Sequence, residues 1–204
     1  SIKTGPVIFF GNEFFDAIPI KQFFQKKNTL LEKNFSLDEQ NEINEIYRKA
    51  SAKDISQIKK FKTFNNLKFL EFPKLGLTEL KKISKKILRL NGGILLIDYG
   101  YLIPQNKNTL QSLIKHRRNN LLNNLGKADI TSLVNFKLLN EYFIKNNLKV
   151  KKIVTQKFFL ERMGIIERAE NLSRKMSFKE NLKRLNLLLP EAKHFVGNYV
   201  VYKS

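Results

Sequence analysis

Four apolar β-formers in a row, Val7-Ile8-Phe9-Phe10, run without alternation into Gly11 and then a polar box, Asn12-Glu13-Phe14-Phe15-Asp16-Ala17-Ile18-Pro19. An unalternating apolar run reads as a strand buried on both faces, and such strands belong to parallel sheets flanked by helices. Open α/β sheets bind their ligands beyond the carboxyl ends of the strands, and the box stands at that end. Glu13 and Asp16, interleaved with the rings of Phe14 and Phe15, are therefore the first candidates for a site. The bland alternative is that one carboxylate caps a following turn while the two rings are core.

The next clear signal is an amphipathic helix over 77–90. Leu77, Leu80, Ile83, Ile87 and Leu88 share one face, and Lys81, Lys82, Lys85, Lys86 and Arg89 occupy the other. Asn91-Gly92 suits its stop, because both tolerate a left-handed conformation. A second apolar strand, Ile94 to Ile97, ends in Asp98-Tyr99-Gly100. Strand, excursion, helix, strand is the crossover pattern of a parallel sheet, so the fold class is α/β and Rossmann-like. Within the excursion an edge-like segment is expected near 18–25, with strands at 30–34 and 42–48, the second of which also has helical spacing. Residues 26–68 as a whole read as a variable insertion. Residues 101–135 lack long periodicity and read as an ordered loop region over the carboxyl edge of the sheet. Residues 136–190 read as a helical segment with one strand, the helices lying at 136–146, 155–163, 165–176 and 178–188. Strands at 150–155 and 198–202 are expected to pair antiparallel.

With 204 residues and 42% hydrophobic content, one domain with one core is the default. The net charge of +20 is carried mainly by lysine pairs spread along the chain. That pattern reads as a solvated basic surface, and the aromatic residues form no stacking platform, so no specific nucleic acid is expected as partner. The chain has no cysteine, which excludes disulfides and thiolate sites. No metal site is expected, since His116 and His194 are far apart in sequence and no cluster of ligands accompanies either. His116 lies beside Arg117-Arg118, whose charges favour the neutral imidazole. No apolar stretch approaches the ~20 residues of a membrane span. The first strand begins within a few residues of Ser1, leaving no room for a targeting peptide inside this sequence.

The box resembles the Asn-Glu-Phe-Phe-Asp-Ala-Leu-Pro signature of the MidA-like S-adenosylmethionine-dependent methyltransferases, a family that includes mitochondrial complex I assembly factors. Further similarities follow in the family's order: Gly92-Gly93 with Ile97-Asp98-Tyr99-Gly100, Asn108-Thr109-Leu110-Gln111, His116, Gly126-Lys127-Ala128-Asp129-Ile130-Thr131, Val134-Asn135-Phe136, Thr155-Gln156 and Gly164-Ile165-Ile166-Glu167-Arg168-Ala169. The resemblance implies a class I methyltransferase sheet with S-adenosylmethionine as cofactor. It implies a protein substrate with arginine as the acceptor, linked to a respiratory complex subunit, and a bacterial cytoplasmic or mitochondrial matrix location. A guanidinium stays protonated at physiological pH, so a carboxylate is needed to orient it and accept its proton. On this basis Glu13 and Asp16 are expected to be catalytic, Asn12, Phe14 and Asp98 to bind cofactor, and His116, Asp129 and Thr131 to bind substrate.

The sequence also departs from that pattern. Parallel sheets of this kind cradle their cofactor on a glycine-rich turn after the first strand, and none of the nine glycines forms a Gly-x-Gly loop. The chain is accordingly expected to be the C-terminal part of one methyltransferase domain, inactive by itself, or a divergent relative without its cofactor half. The family's Val-Asp-Phe is Val134-Asn135-Phe136 here, which takes a carboxylate from the acceptor side if that Asp is used there, and its late Met-Gly is Phe195-Val196-Gly197. A basic nucleic-acid-binding module and a non-catalytic assembly scaffold are the alternatives.

Overall fold

The computed structural model describes residues 3–115, 117–173 and 201–202. The first part of the chain forms β1 (Ile8–Asn12), β2 (Lys21–Lys26), β3 (Thr29–Leu37), β4 (Ile43–Lys49), α1 (Ala52–Ile58), β5 (Phe69–Phe72) and α2 (Lys74–Leu90). Next come β6 (Gly93–Ile97), β7 (Gly100–Tyr101), β8 (Gln111–Ile114), β9 (Arg117–Asn119), β10 (Asp129–Thr131) and β11 (Val134–Asn135). The remainder is α3 (Phe136–Lys145), β12 (Lys149–Val150), α4 (Gln156–Arg162), α5 (Ile165–Ser173) and β13 (Val201–Tyr202).

β1 lies parallel to β6, with Ile8 opposite Gly93 and Asn12 opposite Ile97. The sheet continues in the order β1-β6-β13-β12, its last two strands antiparallel, as the sequence pattern led us to expect. The strand at 150–155 is shorter and earlier than expected, at Lys149–Val150, because Thr155 is already the N-cap of α4. α2 makes the crossover. Leu77, Leu80 and Ile87 are buried, with Ile83 and Leu88 packed beside them, and Asn91 ends the helix in the left-handed region at φ 50°. α3 packs on the same side, where the Tyr142 hydroxyl donates to the Leu77 carbonyl. The expected helix at 178–188 lies outside the described residues.

One expectation about β1 needs correction. Its apolar run is not covered on both faces by the described residues: Ile8 is 80% and Phe10 65% exposed, while Phe9 packs against the core. Apolarity records what a face requires, not which neighbour supplies it.

The excursion between β1 and α2 folds into an antiparallel sheet of order β4-β3-β2-β5. Residues 43–49, where helical spacing competed, form a strand because seven register pairs tie them to β3. Buried Asp54 at the start of α1 staples this sheet to α2, accepting from Lys21 of β2 at 3.0 Å and Lys74 of α2 at 2.6 Å. Burial pushes its pKa up, but the hydrogen bonds from Lys74, Lys21 and Ser51 outweigh it and hold the carboxyl at about 2.

The span 101–135, expected as an ordered loop region, contains a three-stranded antiparallel sheet, β10-β8-β9, and a short parallel pair, β7 with β11. Each strand there has only two to four residues, too few for any period to show.

Candidate active site

The box turns away from the sheet at one residue. Glu13 has φ 48°, a left-handed conformation that is costly for a residue with a side chain, and its N–H donates to the Ile97 carbonyl across the strand ends at 2.8 Å. Beyond the turn the Phe15 N–H donates to Asp98 Oδ2 at 2.7 Å, while the Tyr99 N–H donates to Oδ1 of the same carboxylate at 2.9 Å. Asp98, only 2% exposed, thus clamps the box to the end of β6. Phe15 is buried against Gly76 in the first turn of α2, where a Cβ would stand 2.9 Å from its ring. Phe14 stays about half exposed with its ring edge-on to Phe15 at 5.4 Å.

The result is a group of acids that feel one another's charge. Burial pushes the Asp98 pKa up to about 6; the Phe15 amide pulls it back and the charge of Asp16 pushes it further up. Asp16 is also raised, first by burial and then, against an amide hydrogen bond from Ala17, by the charge of Glu13. The Tyr99 hydroxyl donates to the Glu13 carboxylate, and its pKa is raised by burial first, then by the Glu13 charge and that hydrogen bond. A carboxyl whose folded pKa is raised contributes stability that is full below its unfolded value and is lost as pH climbs through the folded one. For Asp98 that window runs from about pH 4 to about 6 and amounts to roughly 3 kcal/mol. The Phe15 and Tyr99 amide resonances are accordingly expected to titrate together with a midpoint near pH 6; a midpoint at the ordinary carboxylate value would contradict the burial of Asp98.

The expected site residues are distributed unevenly. Asn12, Glu13, Phe14, Asp16 and Asp98 come together at the adjacent ends of β1 and β6. Thr131 ends β10, accepts from Gln111 Nε2 at 3.1 Å, and precedes Ser132, whose N–H donates to the Asp16 carbonyl at 2.9 Å. Asp129 is exposed on the same strand, with no hydrogen bond to the box. His116, like His194 and Phe195-Val196-Gly197, lies outside the described residues. Among the described residues no group of three or more His, Cys, Asp or Glu side chains is arranged to hold a metal ion.

Sequence reasoning missed three participants. Tyr99, which the sequence marks only as part of the polar end of the second strand, reaches Glu13. Buried Glu71 accepts from Gln22 Nε2, the Thr109 N–H and the Thr109 hydroxyl, and the same hydroxyl accepts from the Leu133 N–H, so one carboxylate ties the excursion sheet to the segment that holds Asp16. The available signal was a lone acid inside the apolar run Phe69-Leu70-Glu71-Phe72. Tyr101, beside Glu71, has its phenol pushed up to about 12, by burial first and then by the Glu71 charge. Asn135, the departure from the family's Asp, is the N-cap of α3 and accepts from the Leu138 N–H at 3.0 Å. Asn and Asp cap equally well, so the exchange leaves this helix start intact.

A strand-end box of this geometry invites comparison with known proteins. Residues 1–154 match the model of a family described as "Putative S-adenosyl-L-methionine-dependent methyltransferase". The chain belongs to that family. Relatives of this chain include the mitochondrial protein arginine methyltransferase NDUFAF7 homolog of Caenorhabditis elegans, 27% identical over 178 residues, and its Danio rerio counterpart, 25% identical over 171. The match covers 84% of this chain but spans only 40% of the length of either relative. Among solved structures, a Burkholderia thailandensis protein bound to S-adenosyl-homocysteine superposes with a TM-score of 0.79 at 18% identity, covering 98% of this chain and 54% of that one. A native crystal structure of a protein from the same organism gives 0.79 at 17% identity, covering 57% of its chain. The methyltransferase family and its α/β fold therefore agree with the expectations from sequence.

Proposed function

We propose that this chain carries the substrate side of an S-adenosylmethionine-dependent methyltransferase that modifies a protein on arginine, as the C-terminal part of one domain, in a role connected with respiratory complex I assembly. The observation that carries the proposal is the grouping of Glu13, Asp16, Asp98 and Tyr99 at the adjacent carboxyl ends of two parallel strands. The arginine methyltransferase relatives support the choice of acceptor.

Asn12 and Phe14, both exposed at the end of β1, fit one flank of a sulfonium cofactor: a polar side chain to orient it and a ring face to lie against its positive charge. The bound cofactor supplies an electrophilic methyl group. Glu13 holds the acceptor guanidinium through paired charge-assisted hydrogen bonds and turns one nitrogen toward the methyl. Glu13 would take up, on a carboxylate oxygen, the proton that the acceptor nitrogen gives up on being methylated. Tyr99 fixes the Glu13 rotamer, and Asp98 fixes the backbone turn that presents it. Asp16 adds negative potential on the same side.

The test uses an enzyme that also carries the cofactor-binding part, incubated with methyl-labelled S-adenosylmethionine and protein extract, followed by acid hydrolysis. Label in methylarginine is the expected result, with the 204-residue chain alone silent. Label confined to another amino acid would overturn the acceptor, and transfer by the short chain alone would overturn the division of labour.

A further inference from the structure

We infer that the target protein is selected by acidic side chains lying about four to six residues from the acceptor arginine, which the cationic β8–β9 hairpin and Lys127 engage while Glu13 and Asp16 hold the guanidinium. The inference rests on the reading that the strand-end acids receive an arginine. Between residues 101 and 135 the formally charged side chains are five cations, Lys107, Lys115, Arg117, Arg118 and Lys127, and one acid, Asp129. Lys115, Arg117, Arg118 and Lys127 are all exposed, and among the described residues none of the four has an ion-pair partner. Topology sets these cations beside the site. The Ser132 N–H donates to the Asp16 carbonyl, so β10, which ends at Thr131, is fixed to the box. Thr131 pairs with Gln111 of β8, and Ile114 at the other end of β8 pairs with Arg117 of β9. Arg117 therefore stands two strand spacings across and three residues along from Thr131, roughly 14 Å at about 4.8 Å per strand and about 3.3 Å per residue. About four residues of extended chain cover that distance. Lys127 leads into β10 at the same end of this small sheet.

The surface is thus bipolar, with acids at one end and cations at the other, and that polarity identifies the partner. A nucleic acid would satisfy the cations but be repelled by Glu13 and Asp16, and a uniformly basic segment would meet the reverse. A polypeptide that carries an arginine and, a few residues away, a cluster of acids matches both ends. The net charge of +20 acts in the same direction, because it opposes the approach of a basic segment over the whole surface. Discrimination arises as much from this repulsion as from the attraction.

The experiment uses the intact enzyme with its cofactor-binding part and a labelled peptide of about 15 residues with one central arginine and glutamates four to six positions away on both sides. Twin peptides carry glutamine or lysine at those positions. Binding near physiological salt and methyl transfer are measured side by side. The glutamate peptide is expected to bind about tenfold tighter than the glutamine twin and to differ from it in KM rather than kcat, with the lysine twin weakest. The triple substitution Arg117→Glu, Arg118→Glu, Lys127→Glu should reduce that preference to within about twofold, and the milder Arg117→Gln, Arg118→Gln, Lys127→Gln to about threefold. Lys49→Glu, Lys53→Glu, Lys60→Glu, an exposed set on β4 and around α1 with the same charge change, should leave it intact. Equal loss with both glutamate triples would show bulk charge attraction and overturn the inference, as would a lysine twin that binds as well as the glutamate peptide. An oligouridine that stays bound at about 200 mM salt and is lost only with the hairpin triple would assign the cations to nucleic acid instead. Label in arginine without any glutamate preference would overturn this inference alone. A glutamate preference that depends on the hairpin, with label found on another amino acid, would overturn the acceptor assignment and leave the cationic contact standing.

Discussion

Glu13→Gln is expected to lower methyl transfer by a factor on the order of a thousand while leaving the fold almost untouched, because the substitution removes both the charge that orients a guanidinium and the base that takes its proton. Glu13 is exposed, so glutamine empties no buried contact, and a change in unfolding free energy within about 0.5 kcal/mol is expected. Glu13→Gly sharpens the test. The residue sits at φ 48°, where glycine is unstrained, so this variant should be no less stable than the parent, and about 1 kcal/mol more stable if strain relief outweighs glycine's greater unfolded entropy. Loss of transfer accompanied by unchanged or raised stability is the signature of a turn strained for function. Asp16→Asn should cost far less, about tenfold, because the tether from Ser132 runs to the Asp16 main-chain carbonyl and survives the exchange. The measurement is single-turnover transfer together with a denaturation curve for each variant in the intact enzyme. Near-normal transfer by Glu13→Gln would reduce the box to a fold marker.

The parts of this architecture legible in the sequence are those encoded by local periodicity. α2 shows a full apolar face over several turns, and Asn91 stops it for a reason written in one residue. β1 and β6 read as strands because apolar β-formers ran into polar punctuation, and their parallel pairing followed from the helix between them. β4 was ambiguous because Ile43, Ile46 and Tyr47 have helical spacing; pairing with β3, a tertiary fact, decided it. The short strands between 100 and 135 carry too few residues for a pattern. At the site, Glu13 and Asp16 were visible as residue types at a strand end, but the clamp by Asp98, the contact from Tyr99 and the hub at Glu71 join residues far apart in the chain. No local rule reports such contacts. The exposed side of β1 was misread for the complementary reason: a sequence pattern specifies demand for burial and is silent about supply.

The largest loss of stability is expected from a single methyl group at Gly100, the residue that follows Asp98-Tyr99. A Cβ built there would lie 2.1 Å from the Val134 carbonyl oxygen and 2.6 Å from the Phe136 ring. Neither neighbour can yield cheaply. Val134 pairs in register with Gly100, and its N–H donates to the Tyr99 carbonyl at 2.8 Å, so moving its backbone breaks the β7–β11 pair. Phe136, fully buried, begins α3 directly after its cap Asn135, so moving the ring disturbs the helix start and the core beneath it. Overpacking of this kind costs about 3 kcal/mol and here involves backbone as well as side chain, so Gly100→Ala should lose at least that much in urea denaturation with an unchanged slope. Gly126→Ala is the matched control: its φ of +76° strains any side chain, but nothing lies within 4 Å of the added atom. Conformational strain without collision should cost only about 1 kcal/mol. Because Tyr99 is anchored through the same pair, Gly100→Ala should also release the hydroxyl that fixes Glu13, lowering transfer in the surviving folded fraction. A Gly100 variant as stable as the Gly126 variant would mean that β7 and β11 do not pack as described, and the support proposed for Glu13 would fall with them.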